Sequence, residues 1–207
     1  RGEPLLHPKL PDFIAYAKKK GILETIINTN ATRLNEKMAK NLIAAGLDFM
    51  IYSFDGGTKE TYEKMRPGRF KKNDFETVYE NIKRFSEIKK QTNSAFPYTK
   101  IQMVMTKESF SEKELFFNLF SDHVDDVSVS QYSERGGKIT DIDESTRESY
   151  EQGLLEHGLP KGTPYMRDPQ GNLFLSKKRK PCEQPFQRLL VTYEGRVAMC
   201  CYDWGAS

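Results

Sequence analysis

The 207-residue chain is 37% apolar and 29% charged, the balance of a globular protein rather than a disordered one. Its formal net charge of +3 is too small to argue for a nucleic-acid partner, and no apolar run approaches the length of a membrane span. Arg1-Gly2-Glu3-Pro4 is neither a signal peptide nor an initiating Met, so the cytoplasm is the expected location. The length suits one large domain, or one domain and a piece of a second.

Leu10, Phe13, Ile14 and Ala17 fall at helical spacing and predict a first helix, closed by Gly21 after a lysine-rich last turn. Leu23 to Thr29 reads as a β-branched strand. Leu34, Met38, Leu42 and Ala45 mark the buried face of a second helix that Gly46 ends. Asp48 to Asp55 is a second strand, apolar on both faces as a parallel strand covered by helices requires. Asn73-x-x-Glu76 reads as a capping box ahead of an amphipathic helix through Phe75, Val78, Tyr79, Ile82 and Phe85. Lys100 to Thr106 is a third strand, and Ser111-x-x-Glu114 is expected to cap a helix with Leu115, Leu119 and Phe120 inward. Asp126 to Tyr132 is a fourth strand, and a further helix is expected over Glu144 to Glu156. Alternating strands and helices with short joins predict βα units and a parallel sheet, either a barrel or an open doubly wound sheet.

From Ser133 to Pro181 glycines and prolines break the pattern, and this stretch reads as a connector with a short strand at Asn172 to Leu175. The run Lys177 to Lys180 reads as a solvated linker face, with attraction of an acidic substrate as the alternative. The three cysteines, Cys182, Cys200 and Cys201, all lie late in the chain. An odd count in a large charged chain argues against a disulfide framework. Arg188 to Met199 reads as a hairpin turning at Glu194-Gly195, which would bring Cys182 and Cys200 together at one metal. Thiolates select zinc or an iron–sulfur cluster, and a closed zinc site needs four ligands.

Ligands of parallel α/β folds bind at the C-terminal strand ends. There the chain places Asn28-Thr29-Asn30, then Ser53-Phe54-Asp55-Gly56-Gly57, then Ser130-Gln131. Alternation puts Ser53 and Asp55 on one face, a donor–acceptor pair suited to a ribose diol. The competing reading is that Asp55 caps the next helix and the glycines make its turn. Gly2 permits close backbone approach, and Pro4 suits a helix entry. His7, His123 and His157 are isolated and read as surface or packing residues.

Together these residues resemble the radical S-adenosylmethionine (SAM) superfamily. Arg1-Gly2-Glu3-Pro4 looks like the family's Gly-Gly-Glu-Pro motif, which binds the SAM amino group, with Arg replacing the first Gly. Thr29-Asn30-Ala31 is similar to its Thr-Asn-Gly strand end, and Ser53-Phe54-Asp55-Gly56 to the Ser-x-Asp-Gly end near the SAM ribose. Arg66 ahead of Phe75 and Asn81-Ile82 matches an Arg that can pair with the SAM carboxylate. Gln131 falls where the family often has a SAM- or substrate-facing group. Cys182, Gly195, Cys200, Cys201 and Asp203 resemble the opening of a SPASM or twitch domain, with an auxiliary 4Fe–4S cluster.

The resemblance implies a partial (β/α)6 barrel truncated at its N-terminus. The barrel would span 1–132 without its first βα unit, a connector 133–180, and the start of the auxiliary-cluster domain 181–207. It implies 4Fe–4S-dependent cleavage of SAM and abstraction of a substrate hydrogen, by an oxidoreductase-like enzyme acting on a peptide, carbohydrate or other small molecule. The electron donor would be a flavodoxin or ferredoxin. The defining C-x-x-x-C-x-x-C loop is absent from the 207 residues, so the chain reads as an internal piece, inactive alone. Two other readings compete: a non-redox α/β binding or structural protein with a zinc-stabilised tail, and a barrel enzyme for phosphorylated sugars with Gly56-Gly57 as a phosphate turn.

Overall fold

The computed structural model describes residues 2–67, 74–131, 165–167, 173–175, 186, 190–191 and 196–198. The chain divides into one unit over Gly2–Ser130 and a second over Gln131–Ser207 with Arg1. In the first unit a 3-10 turn at Pro4–Leu6 precedes α1 (Leu10–Lys19), β1 (Ile26–Thr29), α2 (Glu36–Ala44) and β2 (Phe49–Ser53). Then come α3 (Lys59–Met65), α4 (Phe75–Gln91), β3 (Tyr98–Met105), a 3-10 turn at Phe110–Glu112, α5 (Lys113–Phe120) and β4 (Asp126–Gln131).

The four strands lie in the order β1-β2-β3-β4. Ile26 pairs with Phe49 and Phe49 with Tyr98 in parallel register. Strand order never reverses, and crossovers between parallel strands are right-handed, so every helix covers the same face. That is a barrel segment; a doubly wound sheet reverses its order at a switch point. The helix side buries Ile27, Met50, Tyr52, Phe54, Ile101 and Met103 against Leu42, Ile82, Phe85, Phe116 and Phe120. At its centre Phe54 stacks on Tyr62 at 4.0 Å and meets Phe120 edge-on at 4.8 Å.

The opposite face carries Asn28, Ser53, Gln102, Ser128 and Ser130, exposed or half-buried. Phe49 and Ile51 are only half-buried there. Both faces of β2 are apolar in sequence, but in the first unit the helices cover one of them.

Helix ends follow local chemistry. α1, α2 and α4 close in Schellman motifs. In each, the residue after the cap takes positive φ: Gly21 at 84°, Gly46 at 79° and Asn93 at 49°. The next N–H reaches back, Ile22 to Ala17 O, Leu47 to Leu42 O and Ser94 to Lys89 O. Asn35 caps α2 by accepting from Met38 N at 2.9 Å.

Four expectations shift. Asp74, not Asn73, is the N-cap of α4, its carboxylate accepting from Glu76 N at 3.1 Å; Asn73 lies outside the described residues. Ser111 does not cap α5, because it sits inside the 3-10 turn that leads into the helix. Phe116 and Phe120 set the phase of α5, leaving Leu115 52% exposed. Phe13 is 53% exposed and packs on the His7 ring at 4.9 Å, while Pro11 and Ile14 bury that side of α1.

One device occurs twice at the N-terminal strand ends. Asp48 accepts from Thr25 N at 2.7 Å, Thr25 Oγ1 at 2.8 Å and Lys18 Nζ at 2.9 Å. Asp125 accepts from Thr99 N at 2.7 Å, Thr99 Oγ1 at 2.7 Å and Lys89 Nζ at 2.6 Å. Each lysine also donates to the chain just ahead of the strand, at Leu23 O and Pro97 O. Burial works against ionisation of both carboxylates, and the hydrogen bonds from these partners outweigh it, so both are held below the ordinary carboxylate range.

A carboxyl depressed on folding stabilises above its unfolded pKa, and that stability is lost as pH falls through the folded value. Acidification below pH ~4 is therefore expected to release both clamps. Asp48→Asn with Asp125→Asn should cost about 1–2 kcal/mol each at neutral pH and flatten the acid limb of the thermal midpoint below pH ~5. An acid limb as steep as wild type would contradict this role.

In the second unit β5 (Tyr165–Arg167) pairs antiparallel with β6 (Leu173–Leu175), which covers most of the strand expected at Asn172 to Leu175. β7 (Leu190–Val191) pairs antiparallel with β8 (Val197–Ala198), as the expected hairpin requires. Its turn and the expected helix over Glu144 to Glu156 lie outside the described residues. Among the described residues no helix is long and apolar enough to cross a membrane.

Candidate functional site

The C-terminal ends of β1 and β2 form a rim of two polar groupings. In the first, Glu3 ties the N-terminal turn to β1. Its carboxylate accepts from Thr29 Oγ1 at 2.6 Å, Asn30 N at 2.7 Å and Leu5 N at 3.0 Å. Those bonds fix Gly2-Glu3-Pro4 against the strand end. Gly2 is exposed at φ +116°, with nothing within 4 Å of where a Cβ would stand. Ala31 takes φ +57° while fully buried. Thr29 Oγ1 accepts from its N–H at 2.9 Å, and Asn81 Nδ2 donates to its carbonyl at 2.9 Å. These contacts hold an L-residue in a left-handed turn that glycine would adopt freely. Asn30 Oδ1 is spent on Thr32, accepting from its N–H at 3.0 Å and its hydroxyl at 2.7 Å.

In the second grouping Asp55 accepts from Val104 N at 2.7 Å on Oδ1. Arg66 Nε and a terminal guanidinium nitrogen both reach Asp55 Oδ2 at 2.7 Å. The side chains are 11% and 25% exposed, so this is a partly buried, charge-assisted pair. A carboxylate offers about four acceptor positions, and these contacts leave one on Oδ1. Asp55 does not cap the next helix: Thr58 caps α3, accepting from Thr61 N at 3.3 Å. Ser53 is half-buried at the end of β2, beside Gln102, and its hydroxyl has no partner among the described residues.

Gly56-Gly57 is not an open phosphate turn. Glu112, from the following βα unit, accepts from Gly57 N at 2.7 Å and Thr58 N at 3.2 Å. It also accepts from Thr58 Oγ1 at 2.8 Å and Thr61 Oγ1 at 2.6 Å. Burial raises its pKa, and the Thr61, Thr58 and backbone bonds lower it by more, so it is ionised where a phosphate would otherwise sit. Glu112 does not stand out in the sequence. Glu112 lies one βα unit downstream of the turn it binds.

Gln131 closes β4, and only its backbone is described. Cys182, Cys200 and Cys201 lie outside the described residues.

A family model for the radical SAM superfamily matches residues 1–119. The chain belongs to the radical SAM superfamily. The Fe-coproporphyrin III synthase of Methanosarcina barkeri is 42% identical over 65 residues, 31% of this chain and 16% of that protein. The tungsten-containing aldehyde ferredoxin oxidoreductase cofactor-modifying protein of Pyrococcus furiosus is 28% identical over 134 residues, 62% of this chain and 35% of that protein. The chain therefore spans between about a sixth and a third of these curated relatives. Among solved structures, SuiB of Streptococcus suis is similar with a TM-score of 0.53 at 17% identity, over 76% of this chain and 36% of that one. That likeness is one of fold: a partial radical SAM barrel.

Membership in this superfamily implies SAM and a 4Fe–4S cluster. The chemistry of the rim is compatible with SAM: the open approach at Gly2, the Ser53 hydroxyl, which has no partner among the described residues, and the Asp55–Arg66 pair are groups that suit an amino group, a ribose and a carboxylate. For the cluster, no thiolate lies among the described residues, so none of them can ligate iron through sulfur.

Proposed function

We propose that this chain forms the SAM-binding part of an enzyme that abstracts a hydrogen atom from its substrate, and so oxidises or otherwise modifies a peptide or carbohydrate. The cofactor pair supplies the hydrogen abstraction; the chain binds, orients and excludes water. The observation that carries this reading is the rim itself. Glu3 bolts Gly2 and Pro4 to the end of β1, and Asp55 holds Arg66 at the end of β2.

Gly2 and Pro4, with Glu3 behind them, would receive the SAM amino group, and Arg66 its carboxylate. Ser53, with the remaining acceptor position of Asp55, would take the ribose hydroxyls, and Asn30 and Gln131 would complete the rim. Residues 1–132 would be barrel, 133–180 connector and 181–207 the opening of a SPASM or twitch domain. There Cys182, Cys200 and Cys201 would ligate an auxiliary 4Fe–4S cluster. The SAM-cleaving cluster would sit on a three-cysteine loop of the complete gene product, reduced by a flavodoxin or ferredoxin in the cytoplasm.

The polar inner face of Asn28, Ser53, Gln102 and Ser128 favours a polar substrate. A peptide is the first class to test, since a solved structure of SuiB carries its precursor peptide SuiA. The complete protein, reconstituted with iron and sulfide and reduced without oxygen, is expected to release 5′-deoxyadenosine from SAM. Reconstituted protein that binds zinc, stays colourless and releases none would overturn the proposal in favour of a zinc-stabilised binding protein.

A further inference from the structure

Glu112 has no place in the site as described, yet it meets more donors at the rim than any other side chain named above. Its two carboxylate oxygens take four hydrogen bonds, all from Gly57, Thr58 and Thr61, at 2.6–3.2 Å. The packing behind those bonds is equally close. A Cβ on Gly57 would stand 2.6 Å from Glu112 O and 3.0 Å from Phe116 N. The turn so gripped lies directly between Asp55 and α3, and Arg66 is the C-terminal cap of α3. Because α3 is only seven residues long, a tilt at its first turn is carried to Arg66 almost undiminished. The contact between Arg66 and Asp55 spans 2.7 Å, so a displacement of about 1 Å would break it.

We propose that Glu112 is a positioning residue for SAM: it pins the entry of α3 so that Arg66, at the far end, meets Asp55 and the cofactor carboxylate in register. Glu112 itself touches no part of the cofactor. The inference rests on the reading of Asp55 and Arg66 as part of the SAM site. It adds that affinity for SAM is set partly by a side chain from the next βα unit.

The test is equilibrium dialysis of SAM against the complete, cluster-loaded protein without oxygen, on wild type, Glu112→Gln and Asp48→Asn. In Glu112→Gln one carboxylate oxygen becomes an N–H₂ group facing donors. Kd is expected to rise about tenfold, with turnover at saturating SAM within about twofold of wild type. Asp48→Asn weakens the fold at the opposite strand ends and is expected to leave Kd unchanged. A Glu112→Gln Kd within about twofold of wild type, or an equal rise in both variants, overturns the proposal. If Glu112→Gln does not fold, Thr61→Val, which deletes one of the four bonds, is expected to raise Kd about threefold; no rise overturns it. A wild type that binds no SAM sinks the function reading and this inference together. Failure confined to the variants sinks this inference alone.

Discussion

Gly56→Ala is expected to lower stability by about 3–5 kcal/mol, combining backbone strain with overpacking. Gly56 adopts φ +134°, and an added Cβ would stand 2.7 Å from Tyr62 N and 3.1 Å from Thr61 C and Tyr62 Cα. All three atoms are backbone of α3, so no rotamer change relieves the contact. The turn must either unwind or push α3 away from β2. The second outcome pulls Tyr62 off Phe54, which it stacks on at 4.0 Å in the middle of the aromatic core. For a chain of this size the loss corresponds to a fall in thermal midpoint of roughly 6–20 °C. Thermal unfolding of the variant beside wild type measures it, and a fall under about 2 °C would show that the turn is not braced as described.

Much of the architecture was legible because it is encoded locally. Positive-φ closures at Gly21 and Gly46 follow from residue type and position, as does the apolar run of β2. The alternation of elements predicted a parallel sheet, but barrel against open sheet stayed undecided. Strand order decides it, and order depends on pairing between distant segments. Cap assignments missed by one residue at Asn73, where the neighbouring Asp74 competes for the same N–H groups. At Ser111 the miss came from a 3-10 turn that moves the helix start. Leu115 and Phe116 could each have pointed inward by spacing, and the bulk that Phe54 needs beside it selects Phe116.

The rim was legible in part, for a different reason. Ser53 and Asp55 drew attention because they sit in a strand-end motif, and Glu3 and Arg66 because they resemble family motifs before the first turn and after α3. What those motifs do to one another was not legible. That Glu3 bridges to Thr29 and Asn30, and that Asp55 holds Arg66, are contacts across 11 to 27 residues. Glu112 is 55 residues from Gly57, and no local pattern advertises it. The same contact removes the phosphate-turn reading of Gly56-Gly57, which looked reasonable while the glycines were considered alone.

Arg66→Ala is expected to be the most damaging single change to cofactor affinity. The guanidinium is partly buried, planar and already oriented by two contacts to Asp55 Oδ2. Orientation of that kind lets it meet a carboxylate with little further entropy loss. Charge-assisted bonds of this type contribute about 1.5–3 kcal/mol, which predicts a rise in Kd for SAM of roughly tenfold to a hundredfold. Truncation also strips Asp55 of its counter-charge, leaving a partly buried carboxylate near the anionic end of the ligand.

The most direct measurement is therefore the SAM dissociation constant of the complete, cluster-loaded protein before and after Arg66→Ala, with thermal midpoints recorded on the same samples. A SAM site on this rim predicts tight binding by wild type and a loss of at least tenfold in the variant. Equal Kd values in two equally folded proteins would place SAM elsewhere and contradict the account.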